Sequence, residues 1–386
     1  MKLCLIGDIH LDEKSTRYQH TLDVLDWTID DAVAQGADTF ALLGDLFEAQ
    51  PTGSEYAALL DRVHRMREHG EVIVILGNHE AYDAIKFWHH VGVVTAWDEV
   101  AIVNTDAARI LAIPYPRRGK PPVDDLDDNG TIQGSMTAAA DRIARLIADY
   151  RDSVKPTLVL GHFTIQGMTT RDADFEEHKA TEVIVPREAF DGCAFVAVGH
   201  IHRAQDWHPD MTESGNGWGY NEKMYDSHHR IIGVGSLIRH SFAEADDPKS
   251  YTMVTIEQGT VRWERHEVPA RPQIVEQMDW QPSLDANQIA ANILAMRAPG
   301  HEVKLTVRIA EDRLASYDPR VFDILKEHAE YFVLARETVS VQRSRAPEIR
   351  AAESLDDLLK VWLEATGTDV HERSARLAAK LAEIES

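Results

Sequence analysis

Short apolar runs alternate with stretches of helical spacing over the first 80 residues of the chain. Three of the runs predict buried strands: Leu3–Ile6, Thr39–Leu43 and Val72–Leu76. Between them, apolar residues at helical spacing predict one helix over Tyr18–Gln35 that ends at Gly36. A second helix is predicted over Ser54–His69, with Ser54 as its N-cap and Gly70 as its end. This βαβαβ order predicts parallel strands joined by right-handed crossovers.

Strands continue beyond this region with less regular spacing. Val100–Asn104 and Arg109–Ile113 predict a hairpin. Arg117–Gly134 carries Pro, Gly and many Asp and predicts a loop, and Thr137–Tyr150 predicts a helix. Four further runs predict strands: Thr157–Leu160, Phe195–Val198, Arg230–Gly235 and Tyr251–Glu257. We therefore expect an α/β fold in which two packed mixed sheets are flanked by helices.

The last third of the chain differs in composition. Prolines cluster within Val268–Pro282 and predict a linker. The elements predicted next are a helix, a strand, a helix and a strand, over Asn287–Met296, Glu302–Ile309, Asp318–His328 and Tyr331–Val341. Two amphipathic helical patterns within Glu353–Ile384 follow, and their apolar faces either pack into this chain's core or bind a partner. We expect domains over residues 1–268, 272–342 and 350–386.

Metal-binding side chains follow five of the predicted strands. The motifs are GDIH (residues 7–10), GDLF (44–47), GNHE (77–80), GHF (161–163) and GHIH (199–202). We expect their glycines to let the chain turn sharply where each strand ends. Because sites in such sheets form beyond the carboxyl ends of strands, one edge would collect these polar groups. So many of them in one place require a cation between them.

The ligand types indicate which cations these are. The candidate ligands are Asp8, His10, Asp45, Asn78, His162, His200 and His202. Oxygen and imidazole ligands without thiolates suit Mn, Fe, Zn or Mg. They exceed one tetrahedral site and predict two divalent metal ions about 3.5–4 Å apart, bridged by a shared carboxylate and a water. Such a pair activates the water for displacement at phosphorus. Any one of these residues alone would be an ordinary polar residue at a loop edge.

The ordered motifs resemble those of the calcineurin-like metallophosphoesterases. Two further features resemble the SbcD family, the nuclease subunit of bacterial and phage DNA double-strand-break repair complexes. They are Pro51, four residues after GDLF, and the later stretch GSLIRHSFAEADDPKSYTMVTIE, Gly235–Glu257, called the late signature below. The resemblance covers about residues 1–265. It implies a four-layer sandwich, a small α/β capping domain and a C-terminal helical tail.

The resemblance also implies a role for each candidate residue. Asp8, His10 and His202 would hold the first metal, while Asn78, His162 and His200 would hold the second. Asp45 would bridge the two. His79 would bind no metal and would face the scissile phosphate as the catalytic residue, although a histidine beside Asn78 also has the simpler role of orienting it. Some relatives carry a histidine directly after GDLF, where this chain has Glu48, which cannot supply a cation there.

The function implied is that of a DNA exonuclease and endonuclease with two divalent metal ions, Mn²⁺ first and Mg²⁺, Fe²⁺ or Zn²⁺ as alternatives. The tail would bind an SbcC-like ATPase of the SMC family, and two copies would pair within a heterotetramer. Two other interpretations stay open: a phosphodiesterase or phosphatase for small molecules, and a non-catalytic scaffold. The full ligand set argues against the scaffold.

The net charge of −24 is unusual for a protein that acts on DNA, since DNA-binding surfaces are basic. Three explanations compete. The metals add positive charge at the site, a partner supplies the DNA affinity, or the substrate is not nucleic acid. We favour the first two together.

The remaining features bound the location and assembly of the protein. The start of the chain lacks a signal-peptide pattern and no stretch is long enough to span a membrane. Cys4 and Cys193 lie in or beside apolar runs and are expected to be buried thiols in a reducing cytoplasm. A homodimer is expected to form through the helices Ser54–His69 and Ala81–Val91. The apolar side chains available there are Leu59, Leu60, Val63, Met66, Phe87 and Trp88. The remaining paired histidines are expected to be surface or packing residues: His89, His90, His228 and His229.

Overall fold

The structure is a computed structural model. It describes residues 1–80, 87–88, 90–97, 99–116, 132–169, 182–207, 218–219, 230–281 and 300–340. The predicted helix Asn287–Met296, the predicted tail over residues 350–386 and most of the predicted loop Arg117–Gly134 lie outside these ranges.

The described elements follow one another as helices and strands that match most of the predicted runs. The helices are α1 (Tyr18–Ala34), α2 (Gly53–His69), α3 (Ile132–Tyr150) and α4 (Asp323–His328). The strands are β1 (Lys2–Ile6), β2 (Thr39–Leu42), β3 (Glu71–Ile75), β4 (Val94–Ala96), β5 (Ala101–Asn104), β6 (Arg109–Ile113), β7 (Thr157–His162), β8 (Thr164–Ile165), β9 (Ile184–Val185), β10 (Phe195–Gly199), β11 (Gln205–Trp207), β12 (Trp218–Gly219), β13 (Ile231–Gly233), β14 (Ser250–Glu257), β15 (Thr260–Glu267), β16 (Gln273–Asp279), β17 (Glu302–Ala310) and β18 (Tyr331–Val339).

The first sheet contains the N-terminal strands in the order β15-β14-β1-β2-β3-β4. β1, β2, β3 and β4 are parallel, with Leu3 opposite Thr39 and Thr39 opposite Glu71. β14 pairs antiparallel with β1, and β15 closes a hairpin with β14. The predicted parallel βαβαβ order is therefore confirmed, and the carboxyl ends of β1, β2 and β3 lie at one edge of the sheet.

The second sheet has the order β12-β11-β13-β10-β7-β6-β5. Its centre is parallel, because β6, β7, β10 and β13 run in the same direction. The predicted hairpin is present as the antiparallel pair β5 and β6. The carboxyl ends of β7 and β10 are aligned, with Gly199 opposite His162.

The two sheets pack against each other through alternate residues of their strands. Leu3 and Leu5 of β1 belong to a buried cluster that also contains Leu158 of β7 and Phe195 of β10. Cys4 and Ile6, on the opposite face of β1, pack with residues of α1 and α2. A third cluster joins α3 to the outer face of the second sheet. Successive strand residues point to opposite faces, so this alternation produces four layers, and the predicted fold class is confirmed.

Several boundaries differ from the predictions for local reasons. Thr52, rather than Ser54, is the N-cap of α2: its hydroxyl accepts from the backbone N–H of Glu55, whose carboxylate accepts from the backbone N–H of Thr52. This capping box satisfies two N–H groups at the helix start. α3 begins at Ile132, before the expected Thr137.

The region after residue 268 also differs from expectation. The expected linker Val268–Pro282 contains β16, so this proline-flanked segment forms a strand rather than a connection. The expected helix Asp318–His328 is a 3₁₀ turn over Pro319–Phe322 followed by the short α4. β16, β17 and β18 form a three-stranded sheet in that order.

The chain divides into two compact units. One comprises residues 1–276, 290–304 and 324–333, and the other comprises residues 277–289, 305–323 and 334–386. The predicted domain boundaries at residues 268, 272, 342 and 350 stay predictions. Among the described helices, none is long and apolar enough to cross a membrane.

The apolar residues expected at a dimer interface are mostly used inside the chain. Leu59, Val63, Met66 and Trp88 are fully buried in the cluster between the first sheet and its helices. They cannot line an interface as expected, because the amphipathic face of α2 packs on its own sheet. Leu60 and Phe87 are only partly buried.

Candidate metal centre

The five strands that precede the motifs bring the candidate residues to one edge of the two sheets. Asp8 and His10 follow β1, Asp45 follows β2 and Asn78 follows β3. From the second sheet, His162 is the last residue of β7, while His200 and His202 follow β10. All seven predicted ligands therefore meet at the carboxyl ends of the central strands, where sites in α/β sheets form.

The backbone at these positions is strained. Among the described residues, the non-glycine residues with positive φ are Asp8, His10, Asp45, His200 and Gln258. The first three have φ between 46° and 48°, and His200 has φ 88°. Such left-handed conformations disfavour residues with a Cβ and persist where the surroundings impose them, commonly at functional sites. Four of the seven predicted ligands are thus held in costly conformations.

The first ligand group consists of Asp8, His10 and His202, whose ligand atoms lie within 4.8 Å of one another. Nε2 of His10 faces Nε2 of His202 at 3.0 Å. Asp8 is fully buried, and its Oδ2 has no hydrogen-bond partner. Its Oδ1 accepts from the backbone N–H of His200 at 2.8 Å. A buried carboxylate oxygen without a donor is costly unless a cation takes that place.

The second ligand group consists of Asn78, His162 and His200. Oδ1 of Asn78 lies 3.0 Å from Nε2 of His162 and 2.9 Å from Nδ1 of His200. Nδ1 of His162 donates to the backbone carbonyl of Leu43 at 2.6 Å. Nε2 of His162 is therefore the nitrogen that faces Asn78 and Asp45, and a cation bound there would take the place of its proton.

Asp45 lies between the two groups. Its Oδ2 is 3.6 Å from Nε2 of His10 and 3.2 Å from Nε2 of His162. The side chain is 2% exposed, so its charge is removed from water. One carboxylate oxygen within reach of an imidazole from each group is the arrangement expected of a ligand shared by two cations.

The charges of the buried groups depend on one another. Burial alone would raise the pKa of Asp45, but the imidazoles of His162, His10 and His79 hold it well below its usual range. Burial would lower the pKa of His162, yet the carboxylates of Asp45 and Asp8 raise it to about 9. Protonated imidazole thus balances the carboxylates in the metal-free chain, which is the electrostatic role that a bound cation would take.

The motif glycines act through close approach more than through turning. A Cβ at Gly77 would overlap the Asp45 carboxylate, and a Cβ at Gly44 would overlap Nδ1 of His162. Of the five motif glycines, Gly44 has a positive φ, of 88°. The expectation that all five allow sharp turns is therefore corrected: Gly44 and Gly77 leave room for candidate ligands, while Gly7, Gly161 and Gly199 leave room for the Gly235 carbonyl, the Phe163 ring and the Leu43 carbonyl.

Glu80 joins two of the metal-binding loops, although sequence reasoning gave it no role. Its buried carboxylate accepts from the backbone N–H groups of Gly77, Asp45, Leu46 and Phe47. Burial and the Asp45 carboxylate raise the pKa of Glu80 to about 7, against the effect of these donors. The sequence feature that could have identified Glu80 is its position at the end of the GNHE motif.

His79 lies beside the first ligand group with its side chain 33% exposed. Nδ1 donates to the backbone carbonyl of Glu48 at 2.8 Å, and the ring meets that of His10 edge to face at 4.7 Å. The Glu48 carboxylate binds Nδ1 of His10 at 2.6 Å. Glu48 therefore orients both histidines, a role that its position after GDLF did not indicate.

Two more carboxylates contact the candidate ligands. Glu182 lies 3.1 Å from Nε2 of His200, and Glu244 lies 3.2 Å from Nδ1 of His202. His240 packs beside the rings of His10 and His202, at centroid distances of 4.8 and 4.9 Å. Glu244 and His240 belong to the late signature, which was the sequence signal for them. Glu182 carried no such signal.

These contacts test whether the residues fit two divalent cations. In the first ligand group, the outer nitrogens of His10 and His202 face carboxylates and their Nε2 atoms lie 3.0 Å apart, so in the neutral form both imidazoles would offer a lone pair to one cation. In the second, the amide oxygen of Asn78 lies 3.0 Å from Nε2 of His162, the nitrogen that a neutral imidazole would offer to a cation. The unpartnered Oδ2 of Asp8 adds a further buried acceptor. The donor set therefore fits two cations, although the individual ligand roles stay predictions.

The fold and this site define a metal-dependent phosphoesterase. The sequence profile of calcineurin-like phosphoesterase matches residues 1–204, more than half of the chain. The chain belongs to the calcineurin-like phosphoesterase family.

Solved structures of low identity resemble the chain. A dimetal phosphatase from Danio rerio is 9% identical, with 69% of this chain and 96% of that chain covered and a TM-score of 0.41. A protein from Thermus thermophilus is 14% identical, with 68% and 98% covered and a TM-score of 0.38. A purple acid phosphatase from seeds of yellow lupin, Lupinus luteus, is 13% identical, with 69% and 51% covered and a TM-score of 0.42.

Proposed function

We propose that the chain is a dimetal phosphodiesterase that cleaves DNA, the cytoplasmic nuclease subunit of an SbcCD-like repair or recombination complex. The observation that carries the dimetal chemistry is the place of Asp45, with one buried oxygen near His10 of the first ligand group and near His162 of the second. A carboxylate so placed serves two cations at once. Mn²⁺ is the proposed metal, with Mg²⁺, Fe²⁺ or Zn²⁺ as alternatives.

Two bound cations would supply an activated water and offset negative charge on the phosphate. Asp8, His10 and His202 would hold one cation, Asn78, His162 and His200 the other, and Asp45 both. The protein's other groups keep these side chains in place: Glu80 fixes the loops that carry Asp45 and Asn78 through its backbone hydrogen bonds. Pre-organised ligands of this kind need no rearrangement during the reaction.

His79 would handle the proton of the leaving oxygen. A carbonyl oxygen only accepts, so the contact with Glu48 requires that Nδ1 of His79 carries the hydrogen. Nε2 is then the nitrogen available to a phosphoester, and the partly exposed ring can meet one. In the protonated form it donates from Nε2 to the leaving oxygen.

The proposal for DNA rests on the late signature and on the further residues beyond the catalytic fold. Ser236, Glu244 and Lys249 of that signature surround His202. A hydrolase for small phosphoesters would have no need of the predicted C-terminal helical tail. The net charge of −24 favours a partner that delivers the DNA, since the chain lacks a general excess of basic residues.

A nuclease assay on linear duplex DNA with Mn²⁺, with and without a candidate SbcC-like ATPase, tests this function. We expect degradation that requires Mn²⁺ and is stimulated by the ATPase with ATP. Efficient hydrolysis of small phosphoesters without any cleavage of DNA, even with the ATPase present, would favour the small-molecule alternative. Absence of hydrolysis of every phosphoester would favour a scaffold.

The proposed partner site is the tail over residues 350–386. Deleting it should leave Mn²⁺-dependent hydrolysis of bis-p-nitrophenyl phosphate nearly intact and abolish ATPase binding and ATP-stimulated DNA degradation. A truncated chain that still binds the ATPase would place the docking site elsewhere. A truncated chain that unfolds would show that the tail's apolar faces belong to the core.

Pairing of two copies is part of the same proposal. With four of the expected interface residues buried in the core, the partly buried Leu60 and Phe87 are the apolar side chains left for contact. Light scattering at micromolar concentration should give the mass of a dimer, and Phe87→Ser should weaken it. A strictly monomeric chain would remove this interface.

A further inference from the structure

Residues of the late signature bind both the imidazole and the backbone carbonyl of His202. Nδ1 of its ring lies 3.2 Å from Oε1 of Glu244, on the side opposite the nitrogen that faces His10. Its backbone carbonyl accepts from Nζ of Lys249 at 3.1 Å. The side chain and the main chain of one candidate ligand are therefore both bound by this segment.

Lys249 links these two contacts. Its ammonium group also donates to Oε2 of Glu244 at 2.5 Å and to Oγ of Ser236 at 2.8 Å. With the carbonyl of His202, these acceptors take all three ammonium protons. The Lys249 side chain is 1% exposed, so the ion pair is held away from water. Glu244, Lys249 and His202 close a ring of contacts that fixes the imidazole.

Stability alone does not explain such a pair. Taking two charges out of water costs as much as their attraction returns, and an apolar pair of similar volume would stabilise the fold equally well. A buried carboxylate is nevertheless needed where it must bind the outer nitrogen of an imidazole ligand, and Lys249 then offsets its charge. Such carboxylates fix the tautomer and raise the basicity of the ligand, and their loss weakens metal affinity about 10–100-fold.

We propose that Glu244, clamped by Lys249, is a positioning residue that holds His202 as the Nδ1–H tautomer and presents its Nε2 to a divalent cation. The inference rests on the proposed function, in which His202 is a ligand of the first metal. It assigns a physical role to the late signature: Ser236, Glu244 and Lys249 support one imidazole. In the second group Glu182 contacts His200 and the carbonyl of Leu43 contacts His162, so the effect of Glu244 itself belongs to the first ligand group.

Calorimetric titration of the metal-free chain with Mn²⁺ tests this inference. Glu244→Gln keeps the shape but removes the charge, and we expect it to weaken one of two binding events about 10–100-fold and to leave the other unchanged. The double variant Glu244→Leu with Lys249→Met removes both charges without leaving one unpaired. It should keep the unfolding midpoint of the metal-free chain near that of wild type and show the same selective loss.

The buried pair of Arg265 and Asp206 provides a matched control. The double variant Arg265→Met with Asp206→Leu should retain both Mn²⁺ affinities, whatever its effect on stability. If the Glu244 variants bind Mn²⁺ as wild type does, Glu244 and Lys249 are structural and the inference is overturned alone. If the wild-type chain binds no Mn²⁺, the proposed function is overturned and the inference with it.

Discussion

At the scale of single residues, the neighbours of the candidate ligands orient the histidine rings of the site. His162 and His79 donate from Nδ1 to backbone carbonyls, of Leu43 and Glu48, while His10 faces the Glu48 carboxylate. These contacts fix which nitrogen of each ring points inward. His79 differs from the others because its ring is partly exposed and lies beside the ligand groups rather than within them.

Replacing His79 by alanine should separate metal binding from turnover. His79→Ala should retain both metals, since the ring of His79 meets His10 only edge to face and its Nδ1 hydrogen bond goes to the backbone carbonyl of Glu48 rather than to a candidate ligand. Turnover should fall about 10²–10³-fold, the usual loss when one group that stabilises transition-state charge is removed. Metal analysis and hydrolysis of bis-p-nitrophenyl phosphate on one preparation measure both. A variant with one metal or none would contradict the separate role of His79.

The candidate ligands could be predicted from the sequence because each follows directly after an apolar run that forms a strand. The residues that orient them could not. Glu48 and His10 are 38 positions apart, and Glu244 and His202 are 42 apart, so no local pattern connects them. Only the folded chain brings such carboxylates to the outer nitrogens of the imidazoles. Glu80 was closer to prediction, since it lies within a motif, but its backbone partners depend on the path of the neighbouring loop.

At the scale of elements, periodicity predicted the long helices and buried strands but not the irregular ends. α1, α2 and the central strands have strong apolar repeats that packing reinforces. β4, β9 and β11 have two or three residues each, too few for a pattern. β16 was expected as a linker because prolines flank it, yet Gln273 and Ile274 are buried. Burial in the folded chain, rather than local composition, therefore determines that this segment is a strand.

The N-cap of α2 is Thr52 in the structure and Ser54 in the sequence-based prediction, and mutation distinguishes the two. Thr52→Ala should destabilise the chain by about 1 kcal/mol, because it removes the acceptor for the backbone N–H of Glu55. Ser54→Ala is the matched control, since its hydroxyl contacts the exposed Glu13, and its effect should stay within about 0.5 kcal/mol. Urea unfolding measures both. A larger loss for Ser54→Ala would restore Ser54 as the cap.

His20 in α1 makes stability depend on pH. It is 7% exposed and accepts from the backbone N–H of Arg271 at 2.9 Å. Burial, with the charge of Arg271, lowers the pKa of His20 to about 4 from an ordinary value of 6.5. Between these pH values the unfolded chain binds the proton and the folded chain does not, so stability falls as pH decreases. From pH 7 to pH 5 the free energy of unfolding should fall by on the order of 2 kcal/mol.

The control for this effect is His20→Gln, which keeps an acceptor for Arg271 and does not titrate. Urea unfolding of both metal-free chains at pH 7 and pH 5 isolates the contribution of His20 from that of the candidate metal ligands. We expect a smaller loss on acidification in the variant. Equal losses would show that the His20 imidazole titrates alike in the folded and unfolded chains.

At the scale of the whole molecule, the charge sets what the chain can do alone. With Lys+Arg 40 against Asp+Glu 64, the isolated chain should bind duplex DNA weakly at physiological salt, since DNA affinity rests on phosphate neutralisation and counterion release. Fluorescence anisotropy with labelled duplex, with and without the ATPase, checks this. Nanomolar affinity of the isolated chain at about 0.15 M salt would contradict it.

The central claim is that two cations share Asp45, and counting Mn²⁺ bound to the metal-free chain tests it most directly. Titration of wild type should give two Mn²⁺ per chain. Asp45→Ala should abolish binding at both positions, because the shared carboxylate contacts both ligand groups. A wild-type chain that binds one Mn²⁺ or none, or an Asp45→Ala chain that still binds two, would contradict the account.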